Sequence, residues 1–219
     1  VRLTCELENG GQKRYILQRM NDDIFKNPVE LMENVMNVTS FLRNKIVERG
    51  GDPERETLNV IRTVNGDNFL KDEDGDFWRM YIFIENATSF DMVRTPEDFY
   101  NSAVSFGNFQ LLLQDYPAAT LHETIPNFHN TVSRFGDFKK AVQEDVCGRA
   151  KEVQDEIRFV LDREADTHVI CDALANGEIP LRVTHNDTKL NNIMIDNKTR
   201  KGICVIDLDT VMPGSALYD

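Results

Sequence analysis

The sequence predicts an α+β fold in two unlike parts, and three observations carry that reading. Residues 1–85 alternate short apolar runs with Gly, Asn and Asp turns around one helix. From Thr95-Pro96-Glu97-Asp98 the apolar positions change to helical spacing. After Pro180 short strand-like runs return, now carrying polar side chains. The chain has 219 residues, 41% of them hydrophobic, which suits one two-lobed domain or two small ones with a real core. We divide it into an N-terminal lobe, 1–85, and a mainly helical C-terminal lobe, 86–219, with Asn86-Ala87-Thr88 as the hinge.

Val1 to Glu8 reads as the first strand, Asn9-Gly10-Gly11 as a turn, and Arg14 to Gln18 as the second strand. Asn27-Pro28-x-Glu30 is a helix start, with a cap, a proline in the first turn and an acid after it. Leu31, Val35, Val38, Leu42 and Ile46 follow on one face, and Gly50-Gly51 ends the helix. Leu58 to Val64, Phe69-Leu70 and Phe77 to Ile84 form a meander joined by Asn65-Gly66 and by the acidic turn Asp72 to Gly75. That turn is not a calcium loop, since Gly75 at the sixth position would place Leu70 where a carboxylate is required. Phe99, Ala103, Phe106 and Leu113 mark the next helix, and Phe138 to Cys147 and Val153 to Leu161 carry two more. Leu181 to Thr184, Asn192 to Ile195 and Ile203 to Ile206 are the closing strands.

Composition narrows the function. With 25 Lys and Arg against 37 Asp and Glu the net charge is −12, which argues against nucleic acid as a partner, because binding a phosphate backbone needs clustered cations. No apolar run approaches a membrane span and no signal peptide is visible, so no membrane role is expected. The four cysteines lie far apart with no CxxC pair, which fits a reduced, cytoplasmic compartment and excludes a zinc ribbon.

Chemistry concentrates in His185-Asn186-Asp187-Thr188-Lys189-Leu190-Asn191-Asn192, followed by an apolar strand and then by Val205-Ile206-Asp207. A hairpin would bring Asp187, Asn192 and Asp207 together. Two oxygen ligands suit a hard divalent cation that takes its other ligands from phosphates and water. A further acid left free can orient a hydroxyl nucleophile, and this is the equipment of phosphoryl transfer. H-x-D-x-x-x-x-N, a strand, then V-I-D matches the catalytic and metal loops of kinases.

The segment from His185 to Asp219 closely resembles the aminoglycoside phosphotransferase/choline kinase superfamily, and within it the N-acetylhexosamine 1-kinase branch. The runs YILQRMNDDIFKNPVELMENV and IPNFHNTVSRF resemble the same branch. The resemblance implies a two-lobed protein-kinase-like fold, with an antiparallel-sheet N-lobe and a mainly helical C-lobe. It also implies that the chain is cut at both ends, before the phosphate-covering hairpin and before the last helices. The implied activity is ATP- and Mg2+-dependent phosphorylation of the anomeric hydroxyl of N-acetylhexosamines. Asp187 matches the catalytic aspartate, Asn192 and Asp207 match the magnesium ligands, and Lys189 stands where developing phosphate charge needs a cation. His185 reads as a hydrogen-bonded support for the loop, and Asp209 as an acid behind the ligands.

On the nucleotide side the family pattern expects a basic residue where Gln18 stands. Either Gln18 serves as a polar contact or Arg19 reaches in, and strand alternation disfavours Arg19. Glu33 is the expected helix partner, and adenine is expected against hinge backbone at Glu85 to Ala87, flanked by Phe83. No glycine-rich phosphate loop occurs. For the acceptor, His129 and Arg134 stand near an amide and hydroxyl cluster that suits a sugar, although Asn130 or Thr131 also reads as a helix cap. His122 and His129 lack the spacing and partner acids of a zinc site. Two other readings stay open: a kinase for another small alcohol such as choline, homoserine or an aminoglycoside, and a non-catalytic nucleotide-binding protein, which Gln18 motivates.

Overall fold

A tight turn sets the first register. Leu7 N donates to Gly11 O at 2.8 Å, with Gly10 at φ 76°, a conformation glycine adopts freely. The strand therefore stops at Glu6, short of the expected Glu8, and β1 (Arg2–Glu6) pairs antiparallel with β2 (Gln12–Arg19). The computed structural model describes every residue from Val1 to Asp219.

α1 (Pro28–Glu48) begins as its capping residues require, with Glu30 N donating to Asn27 Oδ1 at 3.3 Å. Its stripe of Leu31, Val35, Val38, Leu42 and Ile46 is buried, and the helix ends before Gly50 at φ 76°. The meander is shorter than its apolar runs: β3 (Val60–Ile61) and β4 (Leu70–Lys71) both pair with β5 (Phe77–Ile82). Turn hydrogen bonds take the rest, as when Gly66 N bonds Thr63 O at 3.0 Å. In the acidic turn, Asp72 accepts from Asp76 N at 2.8 Å and Trp78 Nε1 at 2.7 Å, so its carboxylate closes a hairpin. β5 also pairs with β2, placing Gln18 opposite Arg79 and giving the order β1-β2-β5-β3.

The chain crosses to the second half over residues 83–86. Asn86 turns it at φ 55°, but Ala87 and Thr88 are already β6, paired with β8 (Ile193–Asp196). The hinge is thus earlier than Asn86-Ala87-Thr88, because two of those residues have sheet partners. α2 (Pro96–Leu112) is capped by Thr95, whose Oγ1 accepts from Asp98 N at 3.2 Å. α3 (Thr131–Glu144) starts earlier than Phe138, capped by Asn130, and Asp145 stops it at φ 37°, leaving Cys147 outside. α4 (Gln154–Leu161) follows, and α5 (His168–Ala175) is a helix the periodicity did not announce.

β8 pairs with β9 (Gly202–Val205), and β7 (Arg182–Thr184) pairs with β10 (Met212–Gly214). One apolar cluster joins the halves: Leu31, Val35 and Val38 of α1, Phe106 and Phe109 of α2, and Ile193, Ile195, Leu208 and Val211. Burying each such side chain contributes about 1.5–3 kcal/mol. A buried amide adds specificity: Asn34 Nδ2 donates to His122 O at 2.8 Å and Val211 O at 3.0 Å, and its Oδ1 accepts from His122 N at 2.9 Å. No helix is long and apolar enough to cross a membrane.

Candidate active site

The loop between β7 and β8 is shaped by its own polar residues. His185 is fully buried, edge-on to the rings of Phe106 and Phe109. Its Nδ1 accepts from Asp187 N at 3.2 Å, so the other ring nitrogen carries the proton and donates to Ile206 O at 2.9 Å. Burial holds its pKa below the usual imidazole value, and only partly does the Ile206 carbonyl oppose that. Asn186 takes φ 67° and donates to Thr210 O at 2.7 Å. The Asp219 carboxylate accepts from both His185 N and Asn186 N at 2.8 Å, a brace the sequence reading did not assign.

Asp187 is thereby turned outward. Asn192 Nδ2 donates to its Oδ2 at 2.9 Å and to its backbone oxygen at 2.8 Å, while Lys189 Nζ lies 2.7 Å from Oδ2. Partial burial would raise the carboxyl, but the bonds from Lys189 and Asn192 outweigh it and hold Asp187 below the usual carboxylate range. Asp207, two residues past the end of β9, lies in the left-handed region, φ 60° and ψ 58°, and opens a short turn over Leu208–Thr210. Burial pushes its carboxyl up, the charges of Asp209 and Asp187 add to that, and Arg79 pulls the other way.

Asn192 and Asp207 line one cavity of about 380 Å³ between the halves, with Gln18, Arg79, Phe83 and Met194 among its walls. Asn192 spends its Nδ2 on Asp187, which leaves Oδ1 as an acceptor for a cation. Together with the crowded Asp207 carboxylate it makes a two-oxygen donor set. Nowhere does the chain group three or more His, Cys, Asp or Glu at metal distance, so other ligands would come from phosphates and water. That set fits a hard divalent cation such as Mg2+.

The nucleotide-side expectations need correction. Glu33 is exposed and pairs with His122 Nε2 at 2.7 Å. Because each helix residue turns about 100°, it is its neighbour Met32 that faces this wall, with Sδ 3.8 Å from Arg79 Nη1. Gln18 does line the cavity, but its Oε1 accepts from Arg79 Nε at 3.2 Å and Nη2 at 3.1 Å. Arg19 points away, paired with Asp76 at 2.8 Å. Glu85 is paired with Arg14, and its backbone oxygen accepts from Arg55 at 3.0 Å. Ala87 is committed to β6, so Phe83 and Ile84, not Glu85 or Ala87, are the hinge residues that line the cavity. Arg79, not singled out from the sequence, is buried on the Phe77, Arg79, Tyr81 face of β5, and that alternation was the available signal.

A second cavity, about 230 Å³, lies on the other side of the loop, lined by Glu123, Asn127, His129, Asn186 and Tyr218 among others. His129 stacks on Tyr218 with centroids 4.9 Å apart, and its Nε2 is 3.3 Å from Asn186 O. Arg134 does not line it, because its Nε is spent on Phe128 O at 2.5 Å.

A small antiparallel-sheet half on a helical half, with an acid loop at their junction, is the protein-kinase-like fold. The same fold is seen in an aminoglycoside phosphotransferase from Alicyclobacillus acidocaldarius, at TM-score 0.58 and 12% identity over 97% of this chain and 60% of that one. A microcompartment-associated aminopropanol kinase gives 0.52 at 13% identity, over 95% and 61%. The amicoumacin kinase hAmiN, solved with AMP-PNP, Ca2+ and Ami, gives 0.53 at 8% identity, over 98% and 57%. The chain thus spans about 60% of the length of these structures. The model of the APH phosphotransferase enzyme family matches residues 2–219, and the chain belongs to that family.

Proposed function

We propose that this chain carries the nucleotide and catalytic machinery of an ATP- and Mg2+-dependent small-molecule kinase whose acceptor is the anomeric hydroxyl of an N-acetylhexosamine. One observation carries the reading. Asp187 sits on a loop whose Asn186 lines one cavity and whose Asn192, bonded to the Asp187 carboxylate, lines the other, which supports a role for that carboxylate between a nucleotide space and an acceptor space.

In this reading the acceptor oxygen bonds to the γ-phosphorus as the bridging oxygen to the β-phosphate departs with ADP. The acceptor proton passes to Asp187. A carboxylate held below its usual range stays ionised at neutral pH and aims the hydroxyl, taking the proton late, as suits a loose transition state. Lys189 fixes the carboxylate and supplies positive charge beside the transferring group. Asn192 and Asp207 would hold the metal, which when bound neutralises phosphate charge. The apolar wall of Ile16, Leu58, Tyr81 and Ile84 suits an adenine ring against Phe83 and Ile84. His129, Asn127 and Asn186 offer the neutral donors and acceptors that a sugar needs, and Tyr218 an aromatic face. The sugar assignment itself rests on the likeness of His185 to Asp219 to the N-acetylhexosamine 1-kinases.

A second reading, another small alcohol, is favoured by Glu123, a carboxylate in the acceptor cavity that suits an amine-bearing substrate. A phosphorylation screen over N-acetylglucosamine, N-acetylgalactosamine, choline and homoserine separates the two. Turnover of the first pair supports the sugar kinase; turnover confined to the amines replaces it; ADP binding without any turnover leaves a nucleotide-binding protein.

A further inference from the structure

We propose that Arg79 is the positioning residue that fixes the Asp207 turn against the nucleotide cavity, and that residue 18 is glutamine because Arg79 already supplies the buried cation there. The proposal rests on the nucleotide reading of the cavity for its metal-dependent part, and on packing alone for its Gln18 part.

The geometry is that of a buried cation held from two strands and a turn. The Arg79 side chain is 2% exposed. Its Nη2 donates to Asp209 Oδ2 at 2.8 Å, and its Nη1 lies 2.6 Å from Asp209 Oδ1, a close buried ion pair. Nε and Nη2 also share Gln18 Oε1, and Nη1 faces Met32 Sδ at 3.8 Å, so the buried guanidinium directs its bonds to the protein. Its contribution is therefore placement and field rather than direct contact.

Two consequences follow. Asp209 lies two residues beyond Asp207, inside the short turn that Asp207 opens in left-handed backbone. A non-glycine residue in that conformation costs about 1–2 kcal/mol and keeps it only where the surroundings over-determine it. The Arg79 fork, reaching across from β5, clamps the far side of that turn. In addition, a lysine at position 18, an exposed position beside the buried guanidinium, would lose the acceptor oxygen and bring a second positive charge toward Arg79. Glutamine instead presents an acceptor oxygen at that point. The site thus takes its fixed positive charge from β5, one strand over from where kinases place it.

Two measurements decide this. In a double-mutant cycle on thermal stability, Gln18→Lys alone should lower the Tm by about 2–4 °C. In the Arg79→Met background the same lysine should cost less than in the wild type, since no guanidinium remains there to repel it. Strict additivity of the two substitutions would overturn the Gln18 part without reference to any nucleotide. In ADP titrations, Arg79→Met should reduce the gain in affinity produced by Mg2+ about tenfold or more, while Mg2+-free ADP affinity changes less than threefold. Equal loss with and without Mg2+ marks Arg79 as merely structural and overturns the positioning role. If wild-type protein binds no ADP at all, the nucleotide reading fails together with the metal-dependent part, while the cycle still rules on Gln18.

Discussion

The two cavities that the Asp187 loop borders, one through Asn192 and one through Asn186, are built in opposite ways. The larger is walled by paired strands: Ile16 and Gln18 on β2, Arg79, Tyr81 and Ile82 on β5, Met194 on β8. The smaller is walled by loops and turn formers: Asn127 at φ 59°, Asn130 as a helix cap, Asn186 at φ 67°, and Gly214 on a short edge strand. Sheet walls hold their side chains through backbone ladders that tolerate exchange of one side chain. Loop walls depend on particular polar residues, and specificity on such walls can change without disturbing the fold.

The largest expected effect tests the residue between them. Asp187→Asn should lower phosphoryl transfer by about 100-fold to 10,000-fold while ADP affinity stays within threefold. An active variant removes Asp187 from the proposed role and leaves the comparison without its centre. Next comes the latch beneath the loop wall. Asn34→Ala strands the carbonyls of His122 and Val211 and should cost about 2–3 kcal/mol, read as a Tm lowered by about 5–10 °C. Because Val211 precedes Met212 of the acceptor cavity, the acceptor KM should rise more than the nucleotide KM. Equal changes would show that the two walls are not mechanically distinct.

A smaller effect comes from pH. His185 is buried neutral, with a folded pKa below its unfolded value, so the unfolded chain takes up the proton first as pH falls. Its contribution to stability is complete above the unfolded value, about 6.5, and is lost as pH drops toward the folded value. Urea titrations between about pH 7.5 and 5 should show stability falling, and His185→Gln should flatten that slope; an unchanged slope removes His185 as the cause. The smallest effect is at Glu33. Its pair with His122 is half exposed, so Glu33→Ala should change stability by less than about 1 kcal/mol and leave ADP affinity unaltered. A tenfold loss of ADP affinity would restore Glu33 as the partner of the nucleotide wall.

The same contrast explains what could be read in advance. α1 was legible because Asn27, Pro28 and Gly50 punctuate a full apolar stripe, and β5 because its run is long and apolar. Asp187, Asn192 and Asp207 were legible as a set because their spacing around one strand is short and local. α5 was not, being eight residues long with no side-chain cap, nor was β10, whose Met-Pro-Gly reads as a loop. Arg79 and Gln18 meet only through strand register across 61 positions, and Asp219 braces its loop from 33 residues away. Pairings at such range are set by the fold, and no local pattern records them. The smaller cavity likewise gathers residues from 123–130, 171–186 and 212–218, so the sequence alone could not tell that His129 lines it while Arg134 is bonded to Phe128 O.

Asn34 also redraws the mechanical map of the molecule. By sequence α1 belongs with the sheet that precedes and follows it, yet its buried amide is bonded to His122 and Val211 of the other half. The Glu33–His122 and Lys45–Asp115 pairs and the edge-on Phe41–Tyr116 rings fasten the same helix to the same side. Any relative movement of the two halves must either break those bonds or carry α1 with the helical half and let the sheet slide over it. Chain order and mechanical attachment then divide the molecule at different places, and the cavity between β2 and β8 would change shape by a sliding wall rather than a swinging door.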